Sequence, residues 1–134
     1  MSLANHARAV TVMRVVADID RATAFYADQL GATLQGTYGG TSAVFDLFGT
    51  WLLLVTGGGP DEGKPTVTLE EPANPDRPSA QIIFRVDDCH AAYAELEARG
   101  VIFLAPPHDR GGEIRAFFRD PDGHLFEMSQ LVDR

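Results

Sequence analysis

Residues Val15–Tyr26 (VVADIDRATAFY) contain the transition from a strand to a helix. The run Val10–Val16 is mostly β-branched and apolar, which is typical of a strand, and Asp18 and Asp20 are of a residue type that often caps a helix N-terminus. Apolar residues then recur at intervals of three and four residues, and Gly31 follows as a helix C-terminal glycine does. The sequence predicts a strand over Val10–Val16 and a helix over Arg21–Leu30.

The same order of elements occurs a second time along the chain. Gln81–Val86 has the composition of a strand, Asp87 and Asp88 are candidate helix caps, and Gly100 ends the helical spacing. Each helix is followed by three strand-like runs. They are Thr33–Tyr38, Thr41–Leu47 and Trp51–Thr56 in the first copy, and Val101–Leu104, Glu113–Arg119 and His124–Gln130 in the second, where Ala105–Gly112 is predicted to be a loop. This internal repeat predicts an α+β fold built from two βαβββ modules.

The repeat also predicts how the chain is divided. The first module covers residues 8–56 and the second covers residues 80–131, while residues 57–79 are rich in glycine, proline and acidic residues and form a linker. A chain of 134 residues is long enough for one sound hydrophobic core and short for two independent ones. We therefore expect residues 1–134 to form a single domain.

Composition excludes several classes of protein. The chain has 11 Lys and Arg against 19 Asp and Glu, a net charge of −8, which argues against nucleic-acid binding because phosphate contacts come mostly from clustered basic residues. It contains no run of about 20 apolar residues, the length that a membrane helix needs. Its single cysteine, Cys89, excludes an internal disulfide framework. A cytoplasmic location is the default expectation.

Two stretches resemble a known family: VVADIDRATAFY at Val15–Tyr26 and FFRDPDGHLFE at Phe117–Glu127. With them, the sequence resembles the vicinal oxygen chelate superfamily, which includes glyoxalase I, bleomycin-resistance proteins, fosfomycin-resistance proteins and extradiol dioxygenases. The resemblance covers residues 8–131. It implies that the two modules form an eight-stranded, cup-shaped mixed sheet around a ligand, but it does not specify a reaction, because one fold hosts many functions.

The resemblance also implies four positions for metal ligands, seven residues before the Asp that begins each helix and four residues after each turn glycine. These positions hold Thr11, Leu53, Gln81 and Glu127. Glu127 matches a frequent ligand, Gln81 offers an amide oxygen, and Leu53 cannot bind a metal. A divalent ion needs several anionic or imidazole donors. We therefore expect no strongly held metal and no other cofactor, with Thr11, Gln81 and Glu127 hydrogen-bonded to one another in a metal-free pocket.

The leading hypothesis is a protein that binds a small molecule in an apolar cup. Apolar walls with a few polar groups are typical of such sites. The expected walls are Met13, Trp51, Leu53, Ile83 and Phe117, and the expected polar contacts are Thr11, Gln81, Arg115 and Glu127. Arg115 and Phe117 share one face of a predicted strand, and Ile114 and Phe118 share the other. One of the two pairs should line the cup, and Arg115 and Phe117 are the pair chosen. The acidic net charge is compatible with a cationic ligand, an aromatic ligand is the other possibility, and the resemblance implies a homodimer.

The alternative hypothesis is a metal-dependent enzyme of the same superfamily, a lyase, isomerase or dioxygenase. Glu127 would act as the catalytic base or as a metal ligand, with Gln81 completing the metal shell. Other candidate chemistry is weaker. Cys89 falls on the apolar side of its helix and is predicted to be buried, and the glycine-rich loop at Gly58–Lys64 lacks the hydroxyl residue of a phosphate-binding loop. His108 is the histidine best placed for ligand contact.

Overall fold

A computed structural model describes residues 2–133 of the chain, which form two compact units. The first unit extends to Ala27 and continues over Gly31–Glu71. The second comprises Asp28–Leu30 and the chain from Pro72 onward. Among residues 2–133, none of the helices combines the length and the apolar composition needed to span a bilayer.

The first unit contains one four-stranded sheet, sheet I. Its elements are β1 (Thr11–Val15), α1 (Ile19–Ala24), β2 (Thr33–Tyr38), β3 (Ser42–Leu47) and β4 (Thr50–Val55). The strand order is β1-β4-β3-β2, with β1 parallel to β4 and the other pairs antiparallel. A 3-10 helix, Leu3–Asn5, precedes β1. The helix predicted over Arg21–Leu30 begins earlier, at Ile19, and its second half, Phe25–Gln29, is π-helical.

The second unit repeats this arrangement in sheet II. Its elements are β5 (Ile82–Arg85), α2 (Cys89–Ala98), β6 (His108–Asp109), β7 (Glu113–Arg119) and β8 (Leu125–Leu131). The strand order is β5-β8-β7-β6, with β5 parallel to β8. The predicted α+β fold with two βαβββ modules is confirmed, and its eight strands form two four-stranded sheets. The limits predicted for the linker, residues 57–79, stay a prediction.

One strand prediction is wrong. Val101–Leu104 does not form a strand, although Phe103 makes an isolated bridge with Phe118 and the Leu104 amide donates to the Phe117 carbonyl at 2.9 Å. The edge of β7 that does not pair with β8 pairs instead with β6, which lies inside the predicted loop Ala105–Gly112. Proline has no backbone N–H for a sheet ladder. The two prolines after Ala105 therefore interrupt the pairing, which resumes at His108.

Aspartate side chains cap both helices as predicted. An oxygen of Asp18 accepts a hydrogen bond from the Arg21 amide, and one of Asp88 accepts from the Ala91 amide, each at 3.0 Å. Both aspartates have extended backbones, the usual conformation of an N-cap residue. The two copies thus begin their helices by the same local device.

The buried face of each sheet packs against a helix in its own unit. In sheet I, Phe45 is buried with its ring 5.8 Å from that of Tyr26. In sheet II, the rings of Phe118 and Phe126 stack at 5.1 Å. Cys89 is buried as predicted, and burial raises the pKa of its thiol, with a smaller contribution from Asp88. Because strand side chains alternate, the remaining strand residues lie on the opposite faces.

Candidate functional site

The face of sheet II opposite its core carries most of the predicted polar site. Residues paired across neighbouring strands lie on the same side of a sheet. Glu127 on β8 pairs with Ile83 on β5 and with Phe117 on β7. We call this side the Glu127 face. Its members used below are Gln81, Ile83, Arg85, Glu113, Arg115, Phe117, Glu127 and Ser129.

Glu127 is a buried carboxylate with two polar neighbours. The residue is only 3% exposed. Its Oε1 accepts a hydrogen bond from Gln81 Nε2 at 3.3 Å, and Arg115 Nη1 lies 4.0 Å from the same oxygen. Of the expected hydrogen bonds, the one between Gln81 and Glu127 is therefore present, whereas the contact of Thr11 with them stays a prediction. The guanidinium of Arg115 provides the positive charge that a buried carboxylate needs.

Arg115 lies between two carboxylates. Its Nε is 3.7 Å from Glu113 Oε1, and its other carboxylate neighbour is Glu127. The central carbon of the guanidinium lies 5.3 Å from the centroid of the Phe117 ring, within the range of a cation–π interaction. Arg115 therefore joins the buried carboxylate of β8 to the carboxylate at the start of β7.

The polar contacts continue from Glu113 to β5. The Ser129 hydroxyl donates a short hydrogen bond to Glu113 Oε2, and Arg85 Nη1 donates to Ser129 Oγ at 2.6 Å. Arg85 Nη1 also lies 3.5 Å from Glu113 Oε2. The Ser129 hydrogen bond, followed by the charges of Arg115 and Arg85, holds the pKa of Glu113 below its usual range. Glu113 is therefore a carboxylate at neutral pH.

A pocket of about 230 Å³ opens beside this network, within the second unit. Three apolar side chains come from the segment before β6, and His108 on β6 pairs in register with Arg115 on β7. The lining residues are Leu104, Ala105, Pro106, His108, Arg115, Ala116 and Phe117. The pocket therefore combines apolar walls with two side chains that carry N–H groups.

The predicted residues of the first unit lie on one face of sheet I. Thr11 pairs with Trp51, and Met13 pairs with Leu53. Met13 is 42% exposed and Trp51 is 41% exposed, so both present apolar surface. We call this side the Trp51 face. Contact between these four residues and a ligand stays a prediction.

The residues at the family's metal positions do not fit a divalent ion well. Thr11 and Leu53 offer one hydroxyl and one hydrocarbon in the first unit. In the second unit, Glu127 is the one carboxylate of the set, and it faces the amide nitrogen of Gln81 and the guanidinium of Arg115. Over residues 2–133, no three His, Cys, Asp or Glu side chains are grouped as a metal site requires. This donor set is poorer than the one that divalent ions prefer.

Sequence reasoning missed three members of the polar network: Arg85, Glu113 and Ser129. Strand alternation could have found them, because Glu113 lies two residues before Arg115 and Ser129 lies two residues after Glu127. His108, which the sequence singled out as a loop residue, lines the pocket from a short strand instead.

A family comparison identifies the scaffold. The model of the Glyoxalase/Bleomycin resistance protein/Dioxygenase superfamily matches residues 8–128. The chain belongs to this superfamily. The match includes α1, α2 and strands β1 to β7 in full, and it confirms the family that the sequence resembles.

Individual proteins share a moderate part of the sequence or the fold with this chain. The chain is 31% identical over 125 residues to the metallothiol transferase FosB of Lysinibacillus sphaericus, covering 89% of this chain and 80% of that protein. A glyoxalase/bleomycin resistance protein/dioxygenase from Nocardioides has a TM-score of 0.76 at 24% identity, covering 96% and 85% of the two chains. TnmS3, an antibiotic-binding protein from Streptomyces, has a TM-score of 0.66 at 25% identity, covering 94% and 97%.

Proposed function

We propose that this protein binds a small organic molecule on the Glu127 face and does so without a tightly held metal ion. The observation that carries the proposal is the environment of Glu127. Its Oε1 accepts a hydrogen bond from Gln81 and lies 4.0 Å from the Arg115 guanidinium. A divalent cation bound there would be repelled by Arg115, whereas a neutral organic molecule would not.

Two further observations support binding of an organic ligand. The pocket beside Arg115 has the composition of a small-molecule site, apolar walls with a few polar groups. TnmS3, which is 25% identical to this chain over nearly its full length, is described as an antibiotic-binding protein. A binding role within this superfamily therefore has a precedent in a related chain.

Metal analysis tests the metal-free part of the proposal. We expect protein purified without chelator to contain far less than one metal ion per chain, and titration calorimetry with Mn²⁺, Ni²⁺ or Zn²⁺ to give only weak binding. Glu127→Gln, which keeps the size of the side chain, should not change either result. About one ion per chain that is lost in Glu127→Gln would contradict the proposal.

A ligand screen tests the binding part. A thermal-shift screen of aromatic and cationic compounds should give clear stabilisation for some of them, because a ligand at 100 times its dissociation constant adds about 2.7 kcal/mol to the stability of the folded state. Phe117→Ala should remove the shift because it removes a pocket wall. Leu131→Ala, an exposed residue on β8 outside the pocket, is the matched control and should keep it. A screen without any stabilising compound would count against binding.

The second candidate function is a metal-dependent enzyme, and the identity of 31% to metallothiol transferase FosB favours it. Glu127 would then act as base or metal ligand, with Gln81 beside it. The metal titration separates the two functions, because this candidate requires ion binding that depends on Glu127. A homodimer and a cytoplasmic location stay predictions from the sequence, the first of which light scattering of the purified protein can test.

A further inference from the structure

The charges around the pocket point to a ligand class. Arg115 is the cation that lines the pocket, and carboxylate oxygens of Glu113 and Glu127 lie 3.7 and 4.0 Å from its nitrogens. Arg85, beside Glu113, brings a second positive charge. These four side chains sum to zero net charge. The site is thus polar but electrically balanced.

This balance disfavours charged ligands of either sign. A ligand carboxylate at Arg115 would be repelled by Glu113 and Glu127, which already flank the same guanidinium. A ligand ammonium group in the pocket would meet Arg115 and the imidazole of His108. An uncharged ligand avoids both repulsions. Of the two ligand types expected from the sequence, the aromatic one is therefore favoured over the cationic one.

The guanidinium of Arg115 still has hydrogen-bonding capacity. Its two carboxylate contacts are longer than a normal hydrogen bond, and although its Nε is buried, the side chain as a whole is 26% exposed. Guanidinium has five N–H donors and no acceptor. A ligand oxygen could therefore accept a hydrogen bond from the Arg115 guanidinium.

The walls of the pocket favour a flat ligand. The ring of Phe117 lies beside the Arg115 guanidinium, and both groups are planar surfaces on which an aromatic ring can stack. Leu104 and Pro106 add apolar surface. The volume of about 230 Å³ is below the range of about 300–1,000 Å³ typical of drug-sized ligands. A single aromatic ring or two fused rings would fit this volume, either as a whole ligand or as one part of a larger molecule.

We propose that the pocket beside Arg115 takes an uncharged planar aromatic ring that carries a carbonyl oxygen, with the oxygen accepting from Arg115 and the ring lying against Phe117. This proposal rests on the proposed small-molecule function and specifies its ligand class. It assigns Arg115 and Phe117 the roles of specificity residues.

Four naphthalene derivatives of similar size test the proposal in the full-length protein. They are acetylnaphthalene, which carries a neutral carbonyl, naphthoate, naphthylmethylammonium and ethylnaphthalene. Amide NMR titrations of isotope-labelled protein report both affinity and location. We expect acetylnaphthalene to bind about tenfold more tightly than each of the others. The shifted amides should lie in residues 104–117.

Variants separate recognition from folding. Arg115→Lys keeps the positive charge beside Glu127 but loses the planar guanidinium. It should weaken acetylnaphthalene binding about tenfold while leaving ethylnaphthalene unchanged. Arg119→Lys is the matched control, since Arg119 has the same parity on β7 and does not line the pocket. Phe117→Leu should weaken all four compounds.

The possible outcomes distinguish this proposal from the broader one. Tighter binding of naphthoate or naphthylmethylammonium, equal binding of all four, or shifts outside residues 104–117 would overturn the ligand class while leaving small-molecule binding in place. Absence of binding by all four compounds would also overturn the ligand class. Glu127-dependent metal binding together with a blank ligand screen would instead overturn the proposed function itself.

Discussion

Sheets I and II share their strand order and pairing, yet their faces away from the core differ in chemistry. In sheet I, one row across three strands consists of Val15, Val55 and Ser42. The corresponding row in sheet II consists of Arg85, Ser129 and Arg115. Two uncharged positions have become arginines. The Trp51 face carries two valines and a serine at these positions, whereas the Glu127 face carries an ionic network.

The same contrast between an apolar and a charged position appears two residues earlier on β4 and β8. Leu53 and Glu127 each follow the turn glycine by four residues and occupy equivalent places in β4 and β8. The core faces, by comparison, are mostly apolar in both copies, with Arg14 as a buried charged residue beside Leu54 in sheet I. The residues that maintain the fold and the residues that differ therefore lie on opposite sides of each sheet. The face away from the core can therefore differ in its side chains while the core face maintains the fold.

The largest effect is expected where the two copies are alike, in their cores. Phe45→Ala and Phe118→Ala each remove a fully buried ring and should each lower the free energy of unfolding by about 3–5 kcal/mol. Urea denaturation at neutral pH measures both. Ile102→Ala, at an exposed position, is the control and should change little. A small loss for only one of the two phenylalanines would show that the two cores are not equivalent.

The next largest loss of stability is expected when a residue of the Glu127 face is replaced by the one at the equivalent position of the Trp51 face. Arg115→Ser introduces the residue found at the equivalent position of sheet I and leaves the Glu127 carboxylate buried without its cation. We expect a loss of about 2–3 kcal/mol in unfolding free energy, less than for a fully buried pair because Arg115 is 26% exposed. Chemical denaturation at neutral pH measures this loss.

The second substitution should largely reverse the first. Glu127→Leu, which introduces the residue of Leu53, removes the unpaired carboxylate from the Arg115→Ser background and should recover most of the lost stability. Alone it should cost less than Arg115→Ser, since Arg115 keeps Glu113 as a partner. Additive losses in the double variant would mean that Arg115 and Glu127 do not interact energetically.

The two aspartate turns offer a smaller contrast. In the first copy, Asp46 Oδ1 accepts from the Gly49 amide at 2.8 Å. In the second, Asp120 is 4% exposed and its Oδ1 accepts from the amides of Asp122 and His124. Asp120→Ala should therefore cost about 1–2 kcal/mol and Asp46→Ala about 0.5–1 kcal/mol. Thermal unfolding of the two variants compares them, and an equal loss would contradict the argument.

Much of the fold was predictable because its signals are local. An aspartate before each helix, a glycine after it and alternation along the strands need no distant partner to act. The exceptions depend on context. The π-helical segment Phe25–Gln29 keeps a spacing that also suits an α-helix, and both Phe25 and Tyr26 are buried within it. Likewise β6 is only two residues long and is recognised by its pairing with β7.

The site was predictable to a smaller degree. Gln81 and Glu127 were paired through the family's metal positions, and their hydrogen bond is present. Alternation placed Arg115 and Phe117 together on one face. The contacts of Arg115 with Glu113 and Glu127 depend on the register between β7 and β8, which one sequence does not specify. The charge balance around Arg115, on which the preference for a neutral ligand depends, could therefore not be predicted from the sequence.

The smallest effect, a pH dependence, should come from Glu113 on the ionic face. Because its pKa is lowered in the folded state, chiefly by the Ser129 hydroxyl, its charged form stabilises the fold above the pKa of the unfolded chain. That contribution is lost as the pH falls through the lower, folded-state pKa. The stability advantage of the wild type over Glu113→Gln should therefore be present at neutral pH and shrink on acidification. Ser129→Ala should lose its stability at a higher pH than the wild type, because the pKa of Glu113 moves back towards its usual range. Thermal melts across the acidic range measure both, and an advantage over Glu113→Gln that grows on acidification would contradict the assigned direction.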